Sequence, residues 1–420
     1  TVTGNVTVNN TFSWGPSASA LVSGAGTLFL KGALTTTGTA VATLSMPIEL
    51  TGTNAQALTK SSANHTFSGA FRINKTSGTV TSAGVFALGS SFTLESGGAL
   101  SLGNTFTVPT TATLNGGTIS GAGTFSVTGD FTQAATSVVS APVLLGGAAA
   151  NVSQTTGGTL GNVTVTATGN KSITSTDLTL SSLTVTSTGG IVCSTTCTMH
   201  LSGNYTQTAG TATVGTGGTI SFEGAASQTF NRTVGTFNPN IIVDKTGGAL
   251  TLSSAMTLVS GSDLTIANAS SILNLAGQNL TLVGAGTGLL DNNGTIQLFG
   301  SQTTVTLPNG NDVLSGTWEY LGDGDVTAET FTIKDFSATG PADYFNLVIN
   351  DTNATSANRD TISSSAAALD INGSFTQTSG NFTAPSTTLN MNVQGDFIHT
   401  TGTFTHGSTT GAIVLDGASQ

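Results

Sequence analysis

Asp323-Gly324-Asp325, followed closely by Glu329, is the stretch of this sequence best able to hold a metal ion, because three hard carboxylate ligands around a flexible glycine suit calcium. It lacks both the DxDxDG loop and the tandem GGxGxD nonapeptides of calcium-binding chains. The expectation is therefore a solvated acidic turn, with calcium as the alternative and no other cofactor. The stretch lies between Pro308 and Phe345, a segment that gathers seven of the twenty acids, Asp312, Glu319, Asp335 and Asp343 among them. Trp318, Tyr320 and Tyr344 share the segment. Residues 308–345 thus read as a pattern-breaking acidic and aromatic loop or insertion, its three aromatics available for a lateral contact or as a sugar platform.

The two cysteines, Cys193 and Cys197, are read as a short-range disulfide closing a turn, since a Thr-rich chain of low charge suits an oxidising compartment. Residues four apart on a straight strand are separated by ~13 Å, so the bridge requires a bend. A metal site of Cys193, Cys197 and His200 is the sharper alternative, but it lacks the second ligand pair of zinc sites. Glycan cleavage would need paired carboxylates on one face, and Asp130, Asp396 and Glu223 are the candidates. Asp130 and Asp396, however, occupy a repeat position held elsewhere by Asn204 and Ser374, which is how a turn position behaves. His65, His200, His399 and His406 build no motif, and GxSxG, HExxH, P-loop and dinucleotide fingerprints are missing. The chain is expected not to be an enzyme, with a β-helix polysaccharide lyase or glycoside hydrolase as the alternative.

The elements that must position these groups are strands. Only 7% of the 420 residues are charged, against about a quarter in ordinary soluble domains. Fifty-five glycines and abundant Thr and Ser indicate many tight turns and β-branched strands. Alternations such as Val163-Thr164-Val165 and Leu178-Thr179-Leu180 recur, whereas helical periodicity does not. A net charge of −11 argues against nucleic acid as a partner, and no apolar run is long enough for a transmembrane segment. Asn-x-Ser/Thr sequons, such as Asn64, Asn151 and Asn268, are as frequent as a Thr-rich composition produces.

Self-similarity carries the fold assignment. GNYTQTAGTATVG from Gly203, GSFTQTSGNFTAP from Gly373 and GDFIHTTGTFTHG from Gly395 align without a gap, and a weaker copy, GDFTQAATSV, starts at Gly129. Gly373 and Gly395 are 22 residues apart, which sets Phe375 against Phe397 and Phe382 against Phe404. One coil of a solenoid stacks like on like at ~4.8 Å, so Phe131, Tyr205, Phe375 and Phe397 are expected to form an inward aromatic ladder. A second landmark aligns Ile73, Val165, Val243 and Ile349, with intervals of 92, 78 and 106 residues that read as whole coils gained or lost. TGAIVLDGASQ at the end repeats GGTISFEGAASQTF from Gly217, so the polypeptide is expected to continue past Gln420 or to have its open coil covered by another subunit.

The lines GNYTQTAGTATVGTGGTISFEGAASQTF from Gly203 and FNLVINDTNATSA from Phe345 resemble the Thr- and Gly-rich β-helical repeats of exported surface proteins, the filamentous-haemagglutinin-like adhesins and autotransporter passengers. The resemblance implies export, a β-helix and a mechanical or adhesive role. The expectation is an all-β, right-handed parallel β-helix over residues 1–420 as one continuous solenoid, with about 22 residues per coil and roughly nineteen coils. Its expected place is the extracellular space or cell surface. Its expected role is that of a filament subunit or adhesin stalk, with itself as partner through end-to-end or lateral packing, and a cell-surface glycan or matrix as a further one. Ordered Thr pairs such as Thr164 with Thr166 leave an ice-binding or glycan-binding module as the remaining alternative.

Overall fold

Alternation with period two decides each strand. In Leu28–Leu30, Phe71–Ile73 and Phe106–Val108 the outer residues point inward and are buried, while the middle one faces out. The computed structural model describes all residues except 195, 215–217, 284–288, 308–309, 337–342, 352, 354, 365–367, 386–387, 407–409 and 418–420. Pro308, Gly217 and Gln420, which bound segments read from the sequence, lie outside the described residues. The described chain is a parallel β-solenoid of about 17 turns with about 22 residues per turn, and its one helical element is the 3-10 turn Ser356–Asn358.

Two compact units divide the chain. The first comprises Thr1–Gly218 with Val234–Thr236. Here every third strand in sequence joins the same wall. The first wall starts Val6–Val8, Leu28–Leu30, Ile48–Leu50, and the second starts Phe12–Trp14, Leu34–Thr36, Gln56–Lys60. The third starts Ala20–Val22, Ala42–Leu44, His65–Phe67 and continues through a Phe67–Leu88 bridge into Phe86–Ala87, Phe106–Val108 and Phe125–Val127. The second unit comprises Thr219–Thr233 and Phe237–Gln420. Its longest ladder of described strands runs from Gln228–Arg232 through Ala249–Leu252, Thr295–Leu298, Thr317–Tyr320 and Asn346–Asn350 to Phe397–His399.

Coil length differs between the units. On the third wall of the first unit Phe86 pairs with Phe106, Phe106 with Phe125 and Phe125 with Val143, steps of 20, 19 and 18 residues. In the second unit Trp318 pairs with Leu347 and Leu347 with Phe375, steps of 29 and 28, before Phe375 meets Phe397 at 22. The expected nineteen coils exceed the observed turns because these enlarged coils consume extra chain.

The 22-residue alignment places Phe375 beside Phe397, with ring centroids 5.1 Å apart, and Phe382 beside Phe404 at 5.7 Å. Tyr205 stands on the third wall opposite Leu183. Phe131 must be corrected: it belongs to the first wall, opposite Ala112, and meets the third wall only edge-on, at Phe125. The aromatic stack of the first unit is instead Phe67, Phe86, Phe106 and Phe125, with centroid spacings of 5.0, 5.6 and 6.2 Å. The second landmark is corrected as well. Ile73 lies on the first wall and Val165 on the third, while in the second unit Val243 and Ile349 lie in different sheets, so its intervals are not whole coils.

Candidate functional site

Thr317–Tyr320, in the middle of the segment read as a loop or insertion, is a regular strand paired with Thr295–Leu298 on one side and Asn346–Asn350 on the other. Alternation turns Trp318 and Tyr320 inward and Glu319 outward, where it accepts from Gln297 and Asn350. The expected surface contact of Trp318, Tyr320 and Tyr344 is therefore overturned: all three are at most 1% exposed. The sequence misleads here because acids crowd around the aromatics in the chain while the pleat sends the two kinds of side chain to opposite faces.

The aromatics form a lock that pins the long excursion back onto its coil. Trp318 Nε1 donates to Asn311 Oδ1 at 3.0 Å, and its ring packs on Phe336 with centroids 4.9 Å apart. The Lys334 backbone N–H donates to Tyr320 Oη at 2.8 Å, the Tyr320 and Tyr344 hydroxyls bond at 3.0 Å, and the Tyr344 hydroxyl donates to the Lys334 carbonyl. Burial, above all, raises the ionisation of both phenols well above the usual tyrosine range. The sign follows: above pH ~10 an unfolded tyrosine loses its proton while the folded ones keep theirs, so stability is full below pH ~10 and falls as pH rises further. Buried Lys75 and Lys245 and half-buried Lys334, whose pKa values loss of hydration lowers, act in the opposite sense just below that range. Chemical denaturation across pH 9–12 should accordingly show a steeper alkaline loss in the wild type than in a Tyr320→Phe, Tyr344→Phe double variant.

Beside the lock, Asp323, Asp325 and Glu329 each offer a carboxylate oxygen, and these atoms lie within 4.8 Å of one another, the sole such acid, His or Cys group among the described residues. Gly322 and Gly324, with φ of 70° and 76°, fold the turn. Behind it Asp360, 1% exposed, accepts from the backbone N–H groups of Asp323 at 3.0 Å and Glu329 at 2.9 Å. Buried Asp351 in turn accepts from the Asp360 N–H. Glu329 is raised by lost hydration and then by the charges of Asp323 and Asp325. The three exterior carboxylates are chemically suited to a hard cation such as calcium, and equally to remaining a solvated acidic turn. Their acidity is part of a wider asymmetry, since the second unit holds sixteen of the twenty acids and four of the nine Lys and Arg, a net −12 against +1 for the first.

Cys193, ending strand Ile191–Cys193, and Cys197, just before Thr198–Leu201, are joined by a disulfide, their Cα atoms 5.9 Å apart across the corner. Both sulfurs being so engaged, the Cys193, Cys197 and His200 ligand set is not formed; His200 instead faces Asp177 at 3.4 Å. Asp130 lies exposed in the first unit and accepts from the Asn151 N–H. In the second unit Glu223 and Asp396 lie about seven rungs apart, more than ~30 Å at the strand spacing, so they do not share a site.

A set of residues that the motif analysis left without a role is the glutamine two places after the motif aromatic. Gln133, Gln207 and Gln377 are all buried and donate to carbonyls at the corner that follows, Ser137, Gly210 and Gly380 respectively, while Gln133 and Gln377 also reach one coil on, to the carbonyls of Thr159 and Thr403. A bend leaves carbonyls without ladder partners, and an inward amide satisfies them. The repeated Phe-Thr-Gln or Tyr-Thr-Gln spelling was the readable signal. In the last copy exposed His399 stands opposite Gln377.

Stacked parallel rungs with a continuous apolar interior and hydrogen-bonded corners define a β-solenoid repeat protein. No protein-family model, curated protein or solved structure matches the chain.

Proposed function

We propose that this chain is a structural protein of the cell exterior, a β-solenoid subunit of a surface filament. The observation that carries the reading is the in-register parallel pairing that repeats rung after rung in each unit. Backbone hydrogen bonds then lie along the stacking direction, and the inward Phe, Leu, Ile and Val side chains are withdrawn from water at every rung. Each rung is held to the next by several such bonds loaded together, and the stack presents hydroxyl-rich walls. The Cys193–Cys197 disulfide suits an oxidising exterior.

Contact between copies is assigned to the first unit, whose net charge of +1 opposes approach far less than the −12 of the second. Electron microscopy of purified protein at low and high salt should show ordered filaments that lengthen as salt screens the acidic unit. Isolated rods at every salt concentration would favour an adhesin stalk instead, and release of reducing sugar from polysaccharides would revive the enzyme class.

A further inference from the structure

Lys75 and Lys245 sit at the same place in the second sequence landmark, within Asn74-Lys75-Thr76-Ser77-Gly78 and Asp244-Lys245-Thr246-Gly247-Gly248. Lys75 comes just after strand Phe71–Ile73 and Lys245 ends strand Asn240–Lys245, and the two strands belong to different sheets, so the landmark does not mark a shared coil position. It marks a shared corner. Lys75 is 1% exposed and Lys245 fully buried, and both turn inward.

Each ammonium is enclosed by oxygen. Lys75 Nζ donates to the carbonyls of Thr51 at 3.5 Å, Gly52 at 3.1 Å and Asn54 at 2.8 Å, and to Gln56 Oε1 at 2.8 Å. Lys245 Nζ donates to the carbonyls of Glu223 at 3.2 Å and Ala226 at 2.6 Å, and to Gln228 Oε1. Counted from the glutamine, the carbonyls lie five, four and two residues earlier in the first case and five and two earlier in the second. In both, the glutamine opens the strand after the corner, Gln56–Lys60 or Gln228–Arg232. Two separate units thus build the same cage from main-chain oxygens and one amide. Lys171 provides the contrast, since it is equally buried but its Nζ bonds a single carbonyl, that of Thr128.

No carboxylate contributes to either set of bonds. A cluster of three or four neutral acceptors around one NH₃⁺ has the chemistry of an ammonium-binding site, with the lysine stem serving as tether. We propose that each corner cage is a binding site for a primary ammonium ion, normally filled by the chain's own lysine and able to take up ammonium from solution once that side chain is shortened. The proposal is independent of whether the protein forms filaments or stalks.

The test compares Lys75→Ala and Lys245→Ala in ammonium chloride and in tetramethylammonium chloride at equal concentration. Each variant should melt below the wild type, and ammonium should raise its melting temperature back toward the wild type by an amount that grows with ammonium concentration, as binding to the folded state alone requires. Tetramethylammonium, which has no N–H donor, should restore none. Lys245→Met fills the stem's volume without a donor and should respond alike to both salts. An alanine variant that folds only when ammonium is present would also support the cage. Equal response of both alanine variants to the two salts would overturn it, as would alanine variants that fold in neither salt while Lys245→Met folds in both.

Discussion

Trp318→Ala should lower the stability of the protein by about 3–5 kcal/mol, among the largest losses open to a single side chain here. The indole is 1% exposed, packs at a tilt against Phe336 and donates to Asn311, so truncation leaves a cavity, an unpaired amide oxygen and a loosened excursion at once. Because the excursion carries the acidic turn, near-ultraviolet circular dichroism and proteolysis within residues 321–336 should report its release at denaturant concentrations where the wild type is intact. A variant of unchanged stability that had instead lost binding to a glycan would return Trp318 to the surface role its neighbours in sequence suggest.

The second large effect comes from adding a single methyl group where coils touch. A Cβ on Gly190 would lie 1.6 Å from the Thr211 carbonyl oxygen of the following coil, and one on Gly129 would lie 1.6 Å from the Thr110 carbonyl of the preceding one. Backbone cannot retreat as a flexible side chain does, so either alanine substitution has to pry two rungs apart. Gly190→Ala and Gly129→Ala should each cost about 3 kcal/mol, read as a shift in the denaturation midpoint. Gly4→Ala is the control, since nothing lies within 4 Å of its added Cβ, and its midpoint should not move. An unshifted Gly190→Ala would mean that the corners yield more readily than close packing allows.

The two results probe different levels of legibility. Inward and outward faces could be read directly: Val-Thr-Val at 163–165 or Phe-Thr-Val at 106–108 tells which residues are buried, and the spacing of Phe375 from Phe397 set their pairing. The candidate site was legible in part. The sequence brought Asp323, Asp325 and Glu329 together, as the structure does, because they sit on one turn where proximity in chain and in space coincide. It misplaced Trp318, Tyr320 and Tyr344 because their surroundings come from residues one coil away. Gln377 and Lys245 received no role for the same reason, as a corner's unpaired carbonyls cannot be seen without the path of the chain around it.

By itself, then, the sequence determined the class of structure: strands of alternating pattern, tight Gly-rich corners, a stacked repeat, and a cysteine pair placed to bridge a bend. Only the tertiary structure decided which strands share a wall. Phe131 and Tyr205 carry the same local motif yet stand on different walls, and Ile73 and Val243 share a landmark because each precedes a lysine cage rather than because they stack. The physical reason is that a strand's pattern is set over a few residues, whereas its wall depends on the summed lengths of all the corners before it. Those lengths vary from coil to coil, with steps of 18 residues in one place and 29 in another, while the inward faces they deliver to the core look alike.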